Sequence, residues 1–561
     1  MTRPDLSSAL SILALTGALS LRPSALAQFH ITELQADNET GIVDEDGYAQ
    51  DWIELRNHSD SRQNLKGWTL TDDPGHAAGW VFPDHELDAG EFLVVFASGN
   101  DRGMPGRPLH TSFKLKAGGD YLALLRPDGT VAERFAPRFP SQREDGSYGR
   151  PADGDGFAFL AFPTPGRANA ETLTGRLTTL KFSIPHGLFD EAFTLHVTSA
   201  EPDVTLRFTT NGSEPDERSA IMRNPLTIER TTALRVRGYR QGHTPTPVVT
   251  ASYIFPRDQV DLAADGLPPG GYPFKWGAGN ANYGLDENIT RDPELREKFV
   301  QALQALPSYS IVADIDDLFS DERGIYAHAG WHGRRAERRI SLELLPMAGR
   351  EEGFQIEAGL RMRGGSSRAP RYQKHGFRLF FRGQYGAGKL RYDLFHGEGA
   401  TEFDHFDLRC TQQYSWHHGY SPNALYVRDQ FARDTQLAMG HQSARGNFVH
   451  LYINGMYWGM FNPCERPEAD FGATYFGGDA DDYDVMKVRG GYSEDDGDRR
   501  RGLVPTDGEE ENWKRLYELT LGDMGNPTNY CRVLGLKPDG TPDPLGRRLV
   551  DPVNLIDYML V

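Results

Sequence analysis

The sequence predicts a chain of several domains, in which two all-β sandwiches precede an α+β domain. Its 561 residues suffice for several cores, and its 61 glycines and 35 prolines indicate many turns. From residue 29 to residue 255, short apolar runs alternate with turn clusters without a long helical period, which favours sandwiches. After Pro307, strand patterns mix with helical ones, including a helix predicted from about Tyr426 to Leu437. This mixture favours an α+β domain rather than repeated βαβ units.

The first 27 residues have the pattern of an export signal. Arg3 supplies a positive charge, residues 10–21 are apolar and small, and residues 25–27 form a small-x-small cleavage site before Gln28. A buried N-terminal helix or a membrane anchor is the alternative. No later segment is long and apolar enough to span a bilayer, so we expect an exported protein in the periplasm, on the cell surface or outside the cell.

The charge of the chain limits its partners. With 60 basic and 79 acidic residues the formal charge is −19, which argues against nucleic acid, because binding a phosphate backbone requires an extended basic surface. A nucleotide held in one basic cleft remains compatible with this composition. Cys410, Cys464 and Cys531 are too few and too scattered for a disulfide scaffold or a Cys-based zinc site.

Residues 28–169 form the first predicted sandwich. The strings DWIELRNHSDSRQNLKGWTLTD, KLKAGGDYLALLRPDG and FPTPGRAN resemble the lamin-tail domain, an immunoglobulin-like β-sandwich. This resemblance implies an extracellular interaction or spacing module. The acidic run at 44–46, with Asp51, has the oxygen ligands that calcium prefers. It lacks the complete ligand pattern of a calcium loop, so we favour an ordinary solvated turn.

Residues 178–256 form the second predicted sandwich. In FTTNGSEPD, Asn211 and Gly212 predict a turn that follows an alternating strand. The segment is similar to the immunoglobulin-like β-sandwich module found C-terminally in chitobiases and hexosaminidases, with Phe208 and Asn211 replacing a Tyr and an Asp of that motif. The resemblance allows sugar binding, although a spacer is the simpler role. Residues 257–308 follow as a linker with a short helix that begins at Asp292 and Pro293.

A local reversal of charge is the strongest functional signal. Residues 358–392 contain nine basic residues and no Asp or Glu. RMRGGSSR at 361–368 predicts a strand and a glycine turn, and KHGFRLFF at 374–381 predicts a second strand. Phe377, Leu379 and Phe381 would lie on one face of that strand, with Arg378 and Arg382 on the other. We therefore expect a hairpin that presents cations to an anion such as a phosphate.

The segment 309–561 resembles the CotH kinase family. The resemblance is carried in chain order by GFQIEAGLRMRGGSSR, KHGFRLFFRGQYG, YVRDQFARD, VHLYINGMYWGMFNPCERPEADF and DYDVMKV. It implies an α+β atypical protein-kinase-like domain, ATP with Mg²⁺ or Mn²⁺, and Ser/Thr phosphorylation of secreted or surface proteins.

Four residues are candidates for nucleotide binding within this resemblance. Arg361, Arg363 and Lys374 could contact the phosphates, while Gly364 next to Gly365 would let backbone approach closely. Glu465 could pair with Lys374, as a glutamate positions the phosphate-binding lysine in kinases. The alternative is a structural ladder of ion pairs across two exposed strands. Asp314, Asp316 and Asp317 at a strand end fit a helix cap better than a metal site.

The last eleven residues predict a helix that begins with Asp551 as its cap and Pro552 in its first turn. Its apolar stripe, which includes Val553 and Ile556, continues to Val561 without a stop signal. The resemblance implies that metal-binding and catalytic Asp and Asn residues follow such a helix. We therefore expect the catalytic residues beyond Val561 and doubt the activity of this chain. The alternative function is a non-catalytic adhesion or glycan- or protein-binding protein with a degenerate kinase-like scaffold.

Overall fold

The computed structural model describes residues 28–561 except 40, 76–78, 105, 263–267, 347–352, 371, 416–423 and 489–502. The predicted export signal at 1–27 lies outside the described residues. The described chain forms two compact units. One comprises residues 28–36, 51–142 and 164–168, and the other comprises residues 37–50, 143–163 and 169–561.

The first unit is a β-sandwich. Its strands are β1 Phe29–Gln35, β2 Trp52–Asn57, β3 Gln63–Asn64, β4 Thr69–Thr71, β5 Trp80–Val81, β6 Glu86–Leu87, β7 Phe92–Phe96, β8 Leu109–His110, β9 Leu122–Leu125 and β10 Val131–Phe135. One layer has the order β1–β2–β7–β8 and the other has the order β10–β9–β4–β5. The Phe29 and Trp68 rings meet edge to face with centroids 5.1 Å apart. Both side chains are buried, so apolar burial between the layers stabilises this unit.

The second unit begins with a second sandwich. The second unit also contains β11 Tyr148–Gly149 and β12 Ala158–Phe159, which pair with each other and are not part of this sandwich. The other strands up to residue 254 are β13 Gly175–Arg176, β14 Leu180–Phe182, β15 Gly187–Leu188, β16 Phe193–Leu195, β17 Val197–Ser199, β18 Thr205–Thr209, β19 Ala220–Ile221, β20 Leu226–Ile228, β21 Thr232–Tyr239, β22 His243–Thr244 and β23 Val249–Ile254. The main sheet has the order β15–β23–β21–β18–β19. Leu180 and Val197 of the paired strands β14 and β17 share a buried core with Leu234 and Tyr253 of that sheet. The predicted sandwich is therefore present.

The linker and the C-terminal region supply the remaining strands and the helices. The strands are β24 Lys275–Trp276, β25 Gly279–Asn280, β26 Ser308–Val312, β27 Arg338–Leu345, β28 Phe354–Arg363, β29 Gly376–Phe380, β30 Leu390–Arg391, β31 Glu402–Phe403, β32 His405–Arg409, β33 Val449–Ile453, β34 Met456–Cys464, β35 Val485–Val488 and β36 Leu503–Asp507. The helices are α1 Asp258–Asp261, α2 Glu287–Arg291, α3 Pro293–Leu303, α4 Ile315–Phe319, α5 Arg428–Ala438, α6 Ala469–Phe476, α7 Glu511–Thr520, α8 Pro527–Val533 and α9 Pro552–Leu560.

The C-terminal region is built around a closed β-barrel with the order β26–β27–β28–β29–β32–β34–β33. All neighbours are antiparallel except β26 and β33, which run parallel. Alternate residues of each strand point inward, and the fully buried Leu360, Leu379, Phe406 and Phe461 fill the interior. Burial of each such side chain contributes about 1.5–3 kcal/mol. The α+β class is confirmed, but the sequence did not predict that the sheet closes.

Local signals placed several helices and turns correctly. Asp292, Asp314 and Asp551 cap α3, α4 and α9 through their carboxylates, as their positions predicted. Asn454 and Gly455 turn β33 into β34 with φ values of 48° and 83°. Asp44 accepts hydrogen bonds from the following turn, which agrees with the turn interpretation of the acidic run.

Within the second unit, the NGSEPD turn of the second sandwich packs against the barrel. Gly212 has φ +85°, and a Cβ there would lie 1.9 Å from the Ala313 carbonyl oxygen. Asn454 fixes Ala313, because its side chain accepts from the Ala313 N–H and donates to the Ala313 carbonyl, both at 2.9 Å. The Arg235 guanidinium donates to Gly212 O at 3.0 Å. The turn is therefore part of the packing between the two folds.

Exposed apolar side chains lie on α9. Ile556 is 57% exposed and Met559 is 77% exposed. None of the helices among the described residues is long and apolar enough to cross a membrane.

Candidate anion-binding site

The predicted basic hairpin is present in the barrel wall. Strand β28 pairs with β29 so that Arg361 lies opposite Arg378. Phe377, Leu379 and Phe381 are buried in the barrel interior, whereas the Arg378 side chain points to the outer face. The two faces assigned from the alternation of residues are therefore confirmed. Of the nine basic residues, Arg371 lies outside the described residues.

Asp407 is the centre of the charged groups on this outer face. Its carboxylate, 2% exposed, accepts from Arg363 Nε at 2.6 Å and from Arg378 Nε at 2.9 Å. Arg466 Nη1 lies 3.5 Å from the same carboxylate. Burial alone would raise the pKa of Asp407, but the three guanidinium charges outweigh burial and lower the pKa. Asp407 therefore stays ionised and holds three arginines together.

A second carboxylate extends this group. Glu468 accepts from Arg378 Nη1 at 3.3 Å, from His405 Nε2 at 3.0 Å and from Arg466. Burial opposes its ionisation, yet the His405 hydrogen bond and the charges of Arg466 and Arg378 lower the pKa of Glu468 to about 2. Lys487 lies nearby on β35, and burial, together with the charges of Arg466 and Arg378, lowers its pKa.

We call this group the cationic cluster. It is composed of Arg363, Arg378, Arg466 and Lys487 with Asp407 and Glu468. Four cations face two carboxylates, so the cluster has an excess of positive charge although the chain is acidic overall. Arginines fixed by ion pairs present their remaining N–H groups in a set geometry, which suits an oxyanion.

Lys374 packs against strand β34. Its Nζ donates to Met460 O at 3.3 Å and lies 5.0 Å from the centre of the Phe461 ring. A Cβ at Gly459, where φ is +118°, would come within 2.3 Å of that Nζ, so only glycine leaves room for the ammonium. Burial lowers the pKa of Lys374 to about 8, since no carboxylate compensates for the lost hydration.

Cys410 is close to Lys374 and is affected by the charge of Arg363. Burial raises the pKa of its thiol, while the charges of Lys374 and Arg363 act on it in the opposite direction. A phosphate contact by Arg363 or Lys374 stays a prediction. The thiol also donates to the Lys374 carbonyl at 3.6 Å.

The glycine turn between β28 and β29 depends on one unusual backbone angle. Gly364 has φ +121°, and a Cβ there would lie 2.0 Å from Ser367 Oγ. His375 Nδ1 is 2.9 Å from the Ser367 carbonyl oxygen, which joins the two ends of the turn. This contact holds the residues that follow Gly364 close to the start of β29.

Arg361 belongs to a different group. It contacts the buried Glu337 through Nη2 at 2.5 Å, and Arg382 Nε lies 3.0 Å from the same carboxylate. Tyr385 Oη donates to Glu337 at 2.9 Å. This arrangement matches the ion-pair ladder that was the alternative for Arg361, and a phosphate contact by Arg361 stays a prediction.

The predicted pairing of Lys374 with Glu465 is wrong in this structure. Glu465 accepts from the Arg445 N–H at 2.8 Å and from Tyr475 Oη, and Arg445 Nη1 lies 3.6 Å away. Lys374 instead contacts a main-chain carbonyl. The reason is that Glu465 lies beyond the end of β34, whereas the lysine ammonium meets that strand at Gly459 to Phe461.

Sequence reasoning missed the carboxylates and two of the cations of the cluster. Asp407 stands between the buried Phe406 and Leu408 in a strand, and this alternation predicts an exposed acidic residue, so its burial required the folded chain. Gly459, an isolated glycine within an aromatic strand, signals a close approach of another group. Arg466, Glu468 and Lys487 carry no such local signal, because their convergence requires the folded chain.

Potential metal ligands are dispersed among the described residues. No group of three or more His, Cys, Asp or Glu side chains there is placed to hold a metal ion. Asp314 serves as the cap of α4, and Arg323 Nε lies 2.7 Å from Asp317. We therefore assign no metal ligand and derive no step through a metal.

Comparison with known protein families agrees with this division of the chain. The model of the Lamin Tail Domain matches residues 23–137, the Fn3 associated model matches residues 195–253, and the CotH kinase protein model matches residues 360–532. No match to a curated protein was found. The last of the three segments contains the loop 364–375, Lys374 and the cationic cluster.

Fold, site and matches together define a multidomain, mostly β protein with a kinase-like C-terminal region. The chain is a CotH family protein with an N-terminal lamin tail domain.

Proposed function

We propose that this chain contains the ATP-binding part of a CotH-type protein kinase, with Lys374 and the cationic cluster at the phosphates, while the phosphoryl-transfer activity of the chain itself is left to the assay below. The main support for this proposal is the excess of half-buried positive charge close to a glycine turn. These residues lie within the segment that the CotH kinase protein model matches. The reaction would be transfer of the γ-phosphoryl group to Ser or Thr hydroxyls of secreted or surface proteins.

The residues suit the phosphate side of such a reaction. Phosphoryl transfer depends on positioning and on cations that neutralise the charge of the phosphates. Arg363 and Arg378 are held by Asp407, so little side-chain entropy is lost when they meet an anion. Lys374 carries a desolvated ammonium, and a phosphate oxygen would restore its lost stabilisation. Mg²⁺ or Mn²⁺ would neutralise further charge on the phosphates when bound.

Location and partners are part of the same proposal. The pattern of residues 1–27 supports export to the periplasm, the cell surface or the medium. The lamin tail domain and the second sandwich would contact surface proteins or glycans and so bring the kinase region to its substrate.

A non-catalytic surface protein is the second candidate. One observation favours it: the arginines of the cluster are engaged with carboxylates. In that case the barrel would be a scaffold, and adhesion through the sandwiches would be the function.

A phosphoryl-transfer assay separates the two candidates. The full chain is incubated with γ-labelled ATP, Mg²⁺ or Mn²⁺, and casein as acceptor. The kinase proposal predicts label in the acceptor, strong loss of transfer for Lys374→Ala, and normal transfer for Lys389→Ala, a surface lysine paired with Asp404 at 2.8 Å. Where no label is transferred, ATP binding by the unaltered chain separates the two candidates. Failure to bind ATP, or equal transfer by Lys374→Ala, would overturn the kinase proposal.

A further inference from the structure

A cavity lies at the barrel beside the glycine turn, and neither Lys374 nor a residue of the cationic cluster lines it. It has a volume of about 460 Å³, and its lining includes Trp276, Tyr326 and Tyr372 as well as Arg368 and the loop 365–370. This size is typical of sites for small organic ligands, which range from roughly 300 to 1,000 Å³. Three histidines, His328, His332 and His375, complete its polar wall.

The charge of the cavity wall is unusual for this chain. None of the described lining residues is acidic, although the whole chain carries a net charge of −19. Arg368 contributes a permanent cation, and three imidazoles that can donate or accept hydrogen bonds stand around the same space. Such a wall attracts an anion rather than a cation.

The positive charge of Arg368 has no carboxylate partner among the described residues. Its Nη2 contacts His332 Nε2 at 3.0 Å and its Nη1 lies 3.4 Å from the Trp331 carbonyl oxygen. Its Nε is buried without a hydrogen-bond partner among the described residues. Burial lowers the pKa of Arg368, and no carboxylate offsets that effect. A guanidinium in this state gains from an oxyanion ligand.

The aromatic wall favours a flat group beside the anion. The indole N–H of Trp276 donates to Tyr283 Oη at 2.9 Å, and Tyr326 Oη accepts from Trp458 Nε1 at 2.7 Å. The polar ends of these rings are therefore satisfied inside the protein. What they offer to the cavity is apolar ring surface, which packs against planar groups.

We propose that this cavity binds a small organic phosphate monoester that carries a planar ring. A phosphate monoester is nearly a dianion at neutral pH and has three acceptor oxygens, so it can engage a guanidinium together with neighbouring imidazoles. A nucleoside monophosphate and a phosphorylated tyrosine share this chemistry. The site is separate from the cationic cluster, because Arg368 contacts none of the residues that hold Asp407 or Glu468.

Titration of the full chain tests the proposal. The protein carries Lys374→Ala, which removes the cation proposed for ATP, and phenyl phosphate is added while Trp fluorescence and heat are recorded. Saturable binding is expected, and Arg368→Gln should weaken it about 10- to 100-fold, the range expected for hydrogen bonds to a charged group. Arg391→Gln, at a surface arginine that is 66% exposed and paired with Glu402, is the matched control and should leave binding unchanged.

Further arms identify the source of the ligand. AMP and O-phosphotyrosine are titrated in parallel, and the tighter of the two shows which source the cavity prefers. Inorganic phosphate should bind more weakly than phenyl phosphate. Equal binding of both would overturn the role of the rings.

The proposal fails if none of the three esters binds, or if Arg368→Gln binds them as tightly as the control. Should Arg368→Gln not fold, Tyr372→Leu replaces it. That variant should weaken phenyl phosphate severalfold, and an unchanged affinity would overturn the proposal. ATP binding is measured separately with Lys374 intact. If the phosphate esters do not bind, the cavity proposal fails and the proposed kinase function is unaffected. If ATP does not bind, the proposed kinase function fails and the cavity proposal is unaffected.

Discussion

Replacement of Lys374 by Met should stabilise the fold while removing a nucleotide contact. Burial moves the lysine pKa from 10.5 to about 8. At about 1.4 kcal/mol for each tenfold change in the ionisation constant, the protonated side chain destabilises the native state by at most about 3.5 kcal/mol at pH 7. The side chain is half-buried and donates one hydrogen bond, so we expect a net gain of about 1–2 kcal/mol for Lys374→Met.

The pH dependence gives this prediction its sign. Between pH 8 and pH 10.5 the unfolded chain keeps the Lys374 proton and the folded chain releases it, so the stability contributed by this site rises with pH. The advantage of Lys374→Met should therefore be full below pH 8 and shrink towards pH 10.5. The assay is urea unfolding of both proteins at several pH values.

The control is Lys389→Met, because Lys389 is exposed and the hydrogen bond from its ammonium to Asp404 raises its pKa. That variant should be unchanged or slightly less stable at pH 7. If Lys374→Met is less stable than the unaltered protein, or if its advantage does not change between pH 7 and pH 10, the assignment of a desolvated ammonium is refuted.

Three further substitutions test the surroundings of the site by chemical denaturation. Asp407→Asn leaves three arginines without their buried carboxylate and should lower the free energy of unfolding by about 3–5 kcal/mol. The control is Glu402→Gln at an exposed ion pair, which should lower it by less than about 1 kcal/mol. Similar losses for the two variants would contradict the buried ion pairs of the cationic cluster. Glu468→Gln should lower the free energy of unfolding by up to about 3 kcal/mol at pH 6. This difference from the unaltered protein should vanish as the pH falls from 4.5 to 2, because the Glu468 carboxylate is then protonated in both the folded and the unfolded state. A difference that stays constant over this pH range would contradict the lowered pKa. Gly212→Ala should lower the free energy of unfolding by more than about 3 kcal/mol. The control is Gly397→Ala, which has a similar φ of +84° and no atom within 4 Å of the added Cβ, and it should lower the free energy by only about 1–2 kcal/mol. Equal losses would show that the NGSEPD turn does not pack tightly against the barrel.

Elements governed by local rules were predictable from the sequence. The cap of α3 at Asp292, the turn at Asn454 and the two faces of β29 follow from side chains close in the chain. The basic character of the hairpin was visible as well, since it depends only on composition. These features needed no knowledge of the tertiary fold.

The partners of the charged residues could not be predicted in the same way. Asp407 meets arginines from β28, β29 and the segment after β34, and closure of the barrel brings these together. The partner of Lys374 could not be predicted for a related reason. Its ammonium occupies the space that Gly459 leaves open and does not contact Glu465, the carboxylate that the family resemblance suggested. Long-range convergence of this kind depends on strand register, which the pattern of residues alone does not define.

Isothermal titration of the full chain with ATP, with and without Mg²⁺ or Mn²⁺, tests the central claim most directly. The account predicts saturable binding that Lys374→Met weakens about 10- to 100-fold, because a charge-assisted contact to a phosphate is lost. Lys389→Met should bind ATP as the unaltered chain does. Failure of the unaltered chain to bind ATP, or equal affinities of the two variants, would contradict a nucleotide site at Lys374 and the cationic cluster.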